Sequence, residues 1–581
     1  MPDPINQGKE WNRGNAAHGG MTIKAPLHAS NTLTDRFDFM VQHLPPNRAT
    51  DDDLMALGAA MMEGAEPDDS DPINNHRVPS GYTYFGQFID HDITFDPLSA
   101  LGGPNKINDL LNFRTPRFDL DSLYGHGPHD QPYMYDGPKF RLGKTADDPP
   151  LPDLLRIDQP SHTGDKLAVI GDKRNDENLI VSQIQLAFLL YHNKVVDELM
   201  ALAPNADRSP RVPSNALFDV ANQIVRWRYQ HLVLYDFLRR ISLPDVLEHL
   251  VKHGPQFFHT PKGVFMPLEF SAAAFRMGHS MVRFNYALNK VVNTDQGGSG
   301  ELRVFDTDPA RDLRGFRPRP TDRTIRWRRF LEFAGDDAAD PGSVVQFSMA
   351  LDTGLAGKIA VPAKDSVGLA GMPIDVPEDG KPPSNLAQRN LLRGRHLGRG
   401  LASGQTLARH LGVNDQHILT EIEVTSTATR PGAKRTDPNL FTRQKDAHLT
   451  QVFGTDTPLW YYILKEAERL GLKADDAHPL GDPRIELNPD GTNGGRTLGP
   501  LGSRIVGEVF FRLMKEDPQS VLGSDPTVVS PDIAGRIPVA GQFGAGDEGR
   551  FTLADLMKYV HGMPGLTVIS QANFGLVSPK A

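Results

Sequence analysis

The chain of 581 residues contains no cysteine, and this absence removes several classes of chemistry at once. Disulfides, zinc-thiolate sites, iron-sulfur clusters and cysteine nucleophiles all require a thiol. Twenty histidines and many carboxylates remain as candidate ligands and acid-base groups. Any metal bound by this protein would therefore be held by imidazole nitrogen or by oxygen atoms.

Long hydrophobic runs and basic stripes are also lacking. No segment approaches the ~18 consecutive apolar residues of a membrane span, and Met1–Met21 has no apolar core typical of a secretory signal. The net charge of -10, without a basic stripe, argues against a nucleic-acid partner. We expect a cytoplasmic protein or one exported by a nonclassical route, and no pattern fixes an oligomeric state.

The periodicity of the chain favours a mainly α-helical protein. No repeat or linker divides it, so we predict one large helical domain over residues 75–575 with long loops and little β-structure, preceded by an N-terminal arm and a short helix over residues 1–74. Further predicted elements are helices following Asn178 and over Asn215–Arg240 and Glu269–Val282, and strands over Val344–Met349 and Ile418–Val424.

The segment Gly86–Pro97 carries the densest set of chemical groups. In a helix, Gln87, Asp90 and His91 share one face, whereas Asp92 points about 100° away from His91. A solvated polar face is the ordinary interpretation of such a run. Here large apolar side chains surround the polar ones (Phe85, Phe88, Ile89, Ile93 and Phe95), so the helix has little polar surface to expose and a functional site is favoured.

A second polar segment, Thr115–Gly125, offers oxygen ligands at every other residue. The spacing places Thr115, Asp119 and Asp121 on one side of an extended segment, with Arg117 able to contribute only its backbone carbonyl. By itself a solvated loop is the better interpretation. Together with Asp92, however, the segment supplies the mixed oxygen ligands that calcium prefers.

Five ordered motifs together resemble the animal-type haem peroxidases of the peroxidase-cyclooxygenase superfamily. They are Gly86-Gln-Phe-Ile-Asp-His-Asp92, Thr115 to Gly125, Arg174-Asn-Asp-Glu177, Phe275-Arg-Met-Gly-His279 and Arg389-Asn-Leu-Leu-Arg393. The resemblance covers roughly residues 75–415. It implies a mainly α-helical fold around a buried haem, which agrees with the helix pattern.

The resemblance assigns catalytic roles to three side chains. His91 would be the distal histidine, Arg174 its arginine partner, and Gln87 would hold water or a small anion above the iron. Peroxide must lose a proton at one oxygen and gain one at the other, and a neutral imidazole performs both transfers. An arginine stays charged and stabilises the departing hydroxide.

The same resemblance implies a haem, either haem b or an ester-linked haem, and a calcium ion. For the haem it implies His279 as the proximal iron ligand, Asn390 as the hydrogen-bond partner of that imidazole, Arg276 and Arg393 near the propionates, and Asp90 and Glu177 as the two residues able to form haem esters. For calcium it implies Asp92, Thr115, the Arg117 carbonyl, Asp119 and Asp121. Without the resemblance, a lone histidine such as His279 is more often a structural residue.

The implied activity is that of a haem peroxidase, an oxidoreductase of EC 1.11.1 type. It would reduce hydrogen peroxide through a ferryl intermediate and oxidise halides, thiocyanate or phenols. One alternative is a haem-dependent fatty-acid dioxygenase, but the tyrosine that those relatives carry three residues before the proximal histidine is replaced by Arg276. A second alternative is a noncatalytic haem-fold protein for adhesion or binding, although the complete set of Gln87, His91 and Arg174 favours catalysis.

Overall fold

The computed structural model describes a large part of the chain, and the structural statements that follow concern that part. The described ranges are residues 33–63, 74–95, 105–158, 166–202, 214–261, 263–289, 302–304, 312–333, 345–356, 385–425, 447–472, 494–523 and 551–561. Most of the predicted N-terminal arm, residues 1–32, lies outside them.

The described residues are mainly α-helical, as the sequence predicts. Helices span Asp51–Ala60, Gly81–Ile93, Asp121–Tyr124, Gly127–Asp130, Leu179–Leu202, Ser214–His231, Leu238–Ile241, Pro244–His253, Leu268–Ser271, Leu386–His396, Gly404–His410, Glu421–Thr425, Ala447–Thr455, Leu459–Leu470, Pro500–Lys515 and Leu553–Val560. A π-helical turn over Leu232–Phe237 connects two of these segments, so the predicted helix Asn215–Arg240 is present with one irregular turn.

The β-structure in the described ranges is limited to short two-stranded sheets. Three of these sheets join strands that are distant in sequence: Leu33–Asp38 with Val264–Pro267, Met62–Glu63 with Leu355–Ala356, and Asn74–Pro79 with Phe347–Met349. Three are local: Tyr135–Asp136 with Lys139–Phe140, Gly143–Lys144 with Pro152–Asp153, and Arg156–Asp158 with Lys166–Ala168. The distant pairs tie the early part of the chain to the helical body.

The helix Gly81–Ile93, which we call the distal helix, is anchored by aromatic packing. The Phe188 ring stacks on both Phe85 and Phe88, with ring centroids 6.2 and 5.0 Å apart, and Tyr229 meets Phe88 edge-on at 6.1 Å. All four side chains are fully buried. Because this apolar face fixes the rotation of the helix, the face that carries Gln87 and His91 has a defined direction.

Two sequence predictions of secondary structure are wrong. The segment Ile418–Val424 is not a strand but runs into the helix Glu421–Thr425. Thr420 and Glu423 explain the difference: the Thr420 backbone N–H and hydroxyl both donate to the Glu423 carboxylate at 2.8 Å, and the Glu423 N–H donates back to the hydroxyl at 3.4 Å. This reciprocal cap stabilises a helix start.

The predicted helix Glu269–Val282 is broken into the short helix Leu268–Ser271 and a 3₁₀ segment, Ala274–His279. At the break, side-chain N–H groups donate hydrogen bonds to backbone carbonyl groups. Arg276 Nε donates to the Ser271 carbonyl at 3.0 Å, and Trp460 Nε1 donates to the Arg276 carbonyl at 3.2 Å. The periodicity of the sequence does not reveal such tertiary partners.

One helix among the described residues, Leu179–Ala201, is long and apolar enough to cross a membrane by length and composition. Inside the protein, however, 78% of its apolar window is buried. It packs against the distal helix and against the helix Ser214–His231. Its apolar surface therefore belongs to the core.

Candidate active site

His91 lies on the distal helix with 5% of its surface exposed. Its Nδ1 is 2.8 Å from Asn175 Oδ1, and the Asn175 amide nitrogen donates to Gln185 Oε1 at 2.9 Å. Asn175 and Gln185 are fully buried. The second imidazole nitrogen, Nε2, is thus the atom left for chemistry.

The charge state of His91 follows from its surroundings. Burial, reinforced by the neighbouring Arg174 guanidinium, lowers the pKa of His91 to about 4. The imidazole is therefore neutral at neutral pH. A neutral imidazole can accept a proton from a substrate and return it, as acid-base catalysis requires.

Arg174 is buried beside His91 and is held by several acceptors. Its Nη2 donates to the carbonyls of His91 and Thr94 at 3.0 and 2.7 Å, and its Nε and Nη2 donate to the Asp172 carboxylate. The guanidinium carbon lies 4.5 Å from the centre of the Phe95 ring. Within the described ranges no hydrogen bond engages Nη1, which leaves that nitrogen for a ligand.

Asp172 was not singled out by the sequence, yet it holds the arginine. Burial alone would raise the pKa of Asp172, but the guanidiniums of Arg174 and Arg114 outweigh burial and hold the pKa well below its usual value. The carboxylate is therefore charged at any working pH. It fixes Arg174 in place as the permanent cation of the site.

Gln87 connects the distal helix to Glu177. Its Nε2 donates to Glu177 Oε1, and its Oε1 accepts from Asn178 Nδ2 at 3.0 Å. Burial raises the pKa of Glu177 to about 8, and in the described part of the chain no hydrogen-bond partner reaches the buried Glu177 Oε2. Asp90, on the same face of the helix, accepts from the Thr94 hydroxyl at 3.0 Å.

His279 ends the 3₁₀ segment that packs against the distal helix. Its Nδ1 lies 2.8 Å from the side-chain amide of Asn390, so the contact predicted between these two residues is present. The Asn390 amide nitrogen faces the ring. Rotation of this amide by half a turn would present its oxygen to His279 Nδ1 instead. Burial, and then the Arg276 guanidinium, lower the pKa of His279 to about 3, so the imidazole is neutral.

The residues present fit a haem by three observations. Glu177 has a buried oxygen with no hydrogen-bond partner among the described residues. A Cβ added at Gly278, next to His279, would meet no described atom within 4 Å. His279 has one ring nitrogen held by Asn390 and the other left as a ligand, which is the arrangement of an oriented metal-binding histidine. Arg393 lies on the helix Leu386–His396, three residues after Asn390.

Asp92, Asp119 and Asp121 form the carboxylate cluster of the second predicted site. One ligand oxygen from each lies within 4.8 Å of the others. Burial raises the pKa of all three carboxyl groups, for Asp121 to about 7, and their mutual repulsion adds to it for Asp92 and Asp121. The Asp92 carboxylate also accepts from Leu120 N and Ser122 Oγ, both at 3.2 Å.

The remaining predicted calcium ligands lie around this cluster. Thr115 Oγ1 donates to Asp119 at 2.8 Å. The Arg117 guanidinium is 3.9 Å from Asp517, and because a positively charged group cannot be a calcium ligand, this residue could contribute only its carbonyl. Leu120, between the two loop aspartates, has the left-handed backbone angle φ 59°, a strained conformation of the kind that ligand sites impose. Buried like charges of this kind are relieved by a bound cation.

Sequence reasoning did not identify Asn175, Gln185 or Asp172. Asn175 follows Arg174 directly and Asp172 precedes it by two residues, so both lay within the polar turn that drew attention to Arg174. Gln185 is a polar residue in an otherwise apolar stretch of the helix Leu179–Leu202, and this isolated polarity was the available signal.

The mainly helical fold and part of the sequence are similar to those of known haem peroxidases. The family model described as animal haem peroxidase matches residues 101–311, which include Arg174 and His279. The chain is thus related to the animal haem peroxidases, and the resemblance inferred from the motifs is confirmed.

Individual relatives extend the comparison. A "Peroxidase-like protein" of Margaritifera margaritifera is 33% identical over 138 residues, which amount to 23% of this chain and 16% of that protein. Peroxidase A of Dictyostelium discoideum has a similar structure, with a TM-score of 0.57 and 16% identity, over 91% of this chain and 93% of that one. Oryza sativa fatty acid alpha-dioxygenase, solved with palmitic acid, has a TM-score of 0.51 and 15% identity, over 97% and 91%. At such identities the two structures show a shared fold.

Proposed function

We propose that this protein is a haem peroxidase that reduces hydrogen peroxide and oxidises small donors such as halides, thiocyanate or phenols. One observation carries the proposal: His91 is a buried imidazole with a pKa of about 4, next to the buried, carboxylate-held Arg174. The two residues therefore combine a neutral base with a fixed positive charge. Cleavage of an O–O bond requires both.

His279 would hold the haem iron through the nitrogen that Asn390 leaves unengaged. Glu177 and Asp90 would lie at the haem edge, where either could form an ester. The haem, when bound, supplies the redox-active iron that takes up the oxidising equivalents of peroxide. The neutral state of His279 suits it to this role, since only an unprotonated ring nitrogen can bind a metal.

The protein residues would handle the protons. Nε2 of His91 takes a proton from one peroxide oxygen and delivers it to the other, which leaves as water. Arg174 Nη1 and Gln87 Nε2 donate hydrogen bonds to the oxygen on which negative charge accumulates. The Asn175 contact keeps the imidazole in place during both transfers.

We also propose that Asp92, Asp119 and Asp121 bind calcium, with Thr115 and the Arg117 carbonyl completing the ligand set. Asp92 follows His91 directly on the distal helix, so a cation at this position would rigidify the segment that carries the base. The buried and mutually repelling carboxylates support this proposal.

Absorption spectroscopy of the haem-loaded protein tests the peroxidase proposal. We expect the Soret band to shift on addition of one equivalent of hydrogen peroxide and to return when bromide or a phenol is added. His91→Ala should retain haem but react with peroxide roughly 10²-fold or more slowly, given the usual contribution of a general base. The exposed His129 provides the control, because His129→Ala should react as the wild type. A wild-type protein whose bound haem ignores peroxide would refute the proposal.

A fatty-acid dioxygenase is the second candidate, favoured by the structural similarity to the Oryza sativa enzyme over nearly the whole chain. Against it, the position three residues before His279 is Arg276, whose side chain turns back to the Ser271 carbonyl. Oxygen consumption with palmitate, measured in the absence of a peroxidase donor, separates the two. Rapid uptake would favour the dioxygenase.

A further inference from the structure

We propose that Asn175, held by Gln185, is a positioning residue that fixes His91 in the Nδ1–H tautomer and so keeps the lone pair of Nε2 available to a substrate proton. The catalytic meaning of this inference rests on the proposed peroxidase function. The tautomer itself is a property of the folded chain and can be measured without any turnover.

The direction of each hydrogen bond carries the argument. Asn175 presents its oxygen to His91 Nδ1, and an amide oxygen can only accept, so Nδ1 must carry the proton. The other end of the Asn175 amide donates to Gln185 Oε1 at 2.9 Å. Reversal of the Asn175 amide alone would place its oxygen against Gln185 Oε1, with no proton between the two oxygens. Gln185 therefore sets the orientation of Asn175, and Asn175 sets the tautomer of His91.

The competing arrangement reverses both amides together. It would turn Asn175 Nδ2 towards His91 Nδ1, place the imidazole proton on Nε2 and remove the base. Gln185 Nε2 is buried without a hydrogen-bond partner among the described residues, so hydrogen bonding within the pair does not exclude this reversal. The two arrangements predict opposite tautomers, which makes the inference directly testable.

His192 provides an internal reference with the opposite tautomer. Its Nε2 lies 2.8 Å from the Pro138 carbonyl oxygen, which can only accept, and its Nδ1 lies 3.1 Å from the Tyr124 hydroxyl. His192 must therefore carry its proton on Nε2. Like His91 it is buried, and burial lowers the pKa of His192 to about 4.

The test uses the full-length chain with ¹⁵N-labelled histidine, both free of haem and loaded with zinc protoporphyrin, a diamagnetic analogue of haem. Long-range ¹H–¹⁵N spectra near neutral pH assign the protonated nitrogen of each ring. We expect His91 to be protonated on Nδ1 and His192 on Nε2. A His91 ring protonated on Nε2 in both forms of the protein would overturn the proposal.

Variants separate positioning from simple packing. Asn175→Leu keeps the volume but removes the acceptor, so we expect His91 to lose its Nδ1–H signature while the His192 signals stay unchanged. Asn175→Asp restores an acceptor and should restore the tautomer. If Asn175→Leu fails to fold, Gln185→Leu serves in its place, because loss of the anchor should give a mixture of tautomers. An unchanged His91 tautomer in these leucine variants would refute the role of Asn175.

Peroxide kinetics of the haem-loaded variants connect the tautomer to function. Asn175→Leu should slow the reaction with peroxide roughly 10²-fold, the contribution of a general base, and Asn175→Asp should recover most of the rate. Equal rates in the wild type and both variants would show that the tautomer of His91 does not affect the reaction with peroxide. A wild-type chain with the expected tautomer but no reaction with peroxide would instead refute the peroxidase function and leave the positioning role intact.

Discussion

Replacement of Asp121 by asparagine should stabilise the protein when calcium is absent. In the folded chain burial, together with the nearby Asp119 carboxylate, raises the pKa of Asp121 from 3.8 to about 7, although Arg114 lies 3.5 Å away. The folded state therefore prefers the protonated form. Stability associated with this group is fully present below pH 3.8, falls as the pH rises and is lost above pH 7.

The size of the effect follows from the difference between the two pKa values. A difference of about three, at about 1.4 kcal/mol for each pKa unit, gives about 4 kcal/mol, the order of magnitude by which an ionised Asp121 lowers the free energy of unfolding at about pH 8. An asparagine side chain at this position would carry no charge and avoid this cost. Calcium offsets most of this cost in the wild type, because it binds the ionised cluster and adds about 2.7 kcal/mol at a concentration about 100 times its dissociation constant.

Urea unfolding of the wild type and Asp121→Asn at about pH 5 and about pH 8, in EDTA or in calcium, measures these differences. We expect the variant to be the more stable protein in EDTA at the higher pH, to lose most of that advantage at the lower pH, and to respond weakly to calcium. The exposed Asp136 provides the control, since Asp136→Asn should change neither the pH dependence nor the calcium response. A variant less stable than the wild type in EDTA at the higher pH would show that Arg114 already compensates the charge, and would refute the reasoning.

Further predictions concern the haem ligand and two buried or capping groups. His279→Ala should fail to develop a Soret band on addition of haem, whereas His129→Ala should bind haem normally. Burial raises the pKa of Glu466 to about 8, and this carboxyl accepts from two backbone N–H groups of the helix Pro500–Lys515. At neutral pH Glu466→Gln should therefore cost under about 1 kcal/mol by urea unfolding, and Glu466→Ala about 2–3 kcal/mol. Thr420→Val should remove a helix cap at a cost of about 1 kcal/mol, visible as faster amide exchange in the following helix.

The sequence predicted the mainly helical fold because apolar side chains repeat at helical spacing in the long core helices. It also placed Gln87 and His91 on one helix face, and the aromatic packing of Phe85 and Phe88 explains why that face is defined. Local pattern sufficed here since the signal lies within one helix. The start of the helix Asp51–Ala60 is also a local feature, a capping box formed by Thr50 and Asp53.

What the sequence did not reveal depends on contacts between distant segments. The helix before His279 breaks because Trp460, 184 residues later in the chain, donates to the Arg276 carbonyl. Gln185 acts on His91 through Asn175, a link that spans three segments and leaves no periodic trace. Such residues are identified by their partners, and the partners are known only once the chain is folded.

His91 and Asp92 are neighbours in sequence with opposite electrostatic environments. His91 lies beside a guanidinium and stays neutral because protonation would bury a second positive charge. Asp92 is buried beside two carboxylates, and burial together with their charges raises its pKa, so its ionised form is costly unless a cation binds. A helix turns the two side chains about 100° apart, which is how one short element can keep a base uncharged and still serve the proposed cation site. In the proposed enzyme the base would be constrained twice, through its ring by Asn175 and, with a cation bound, through its backbone by the carboxylate cluster.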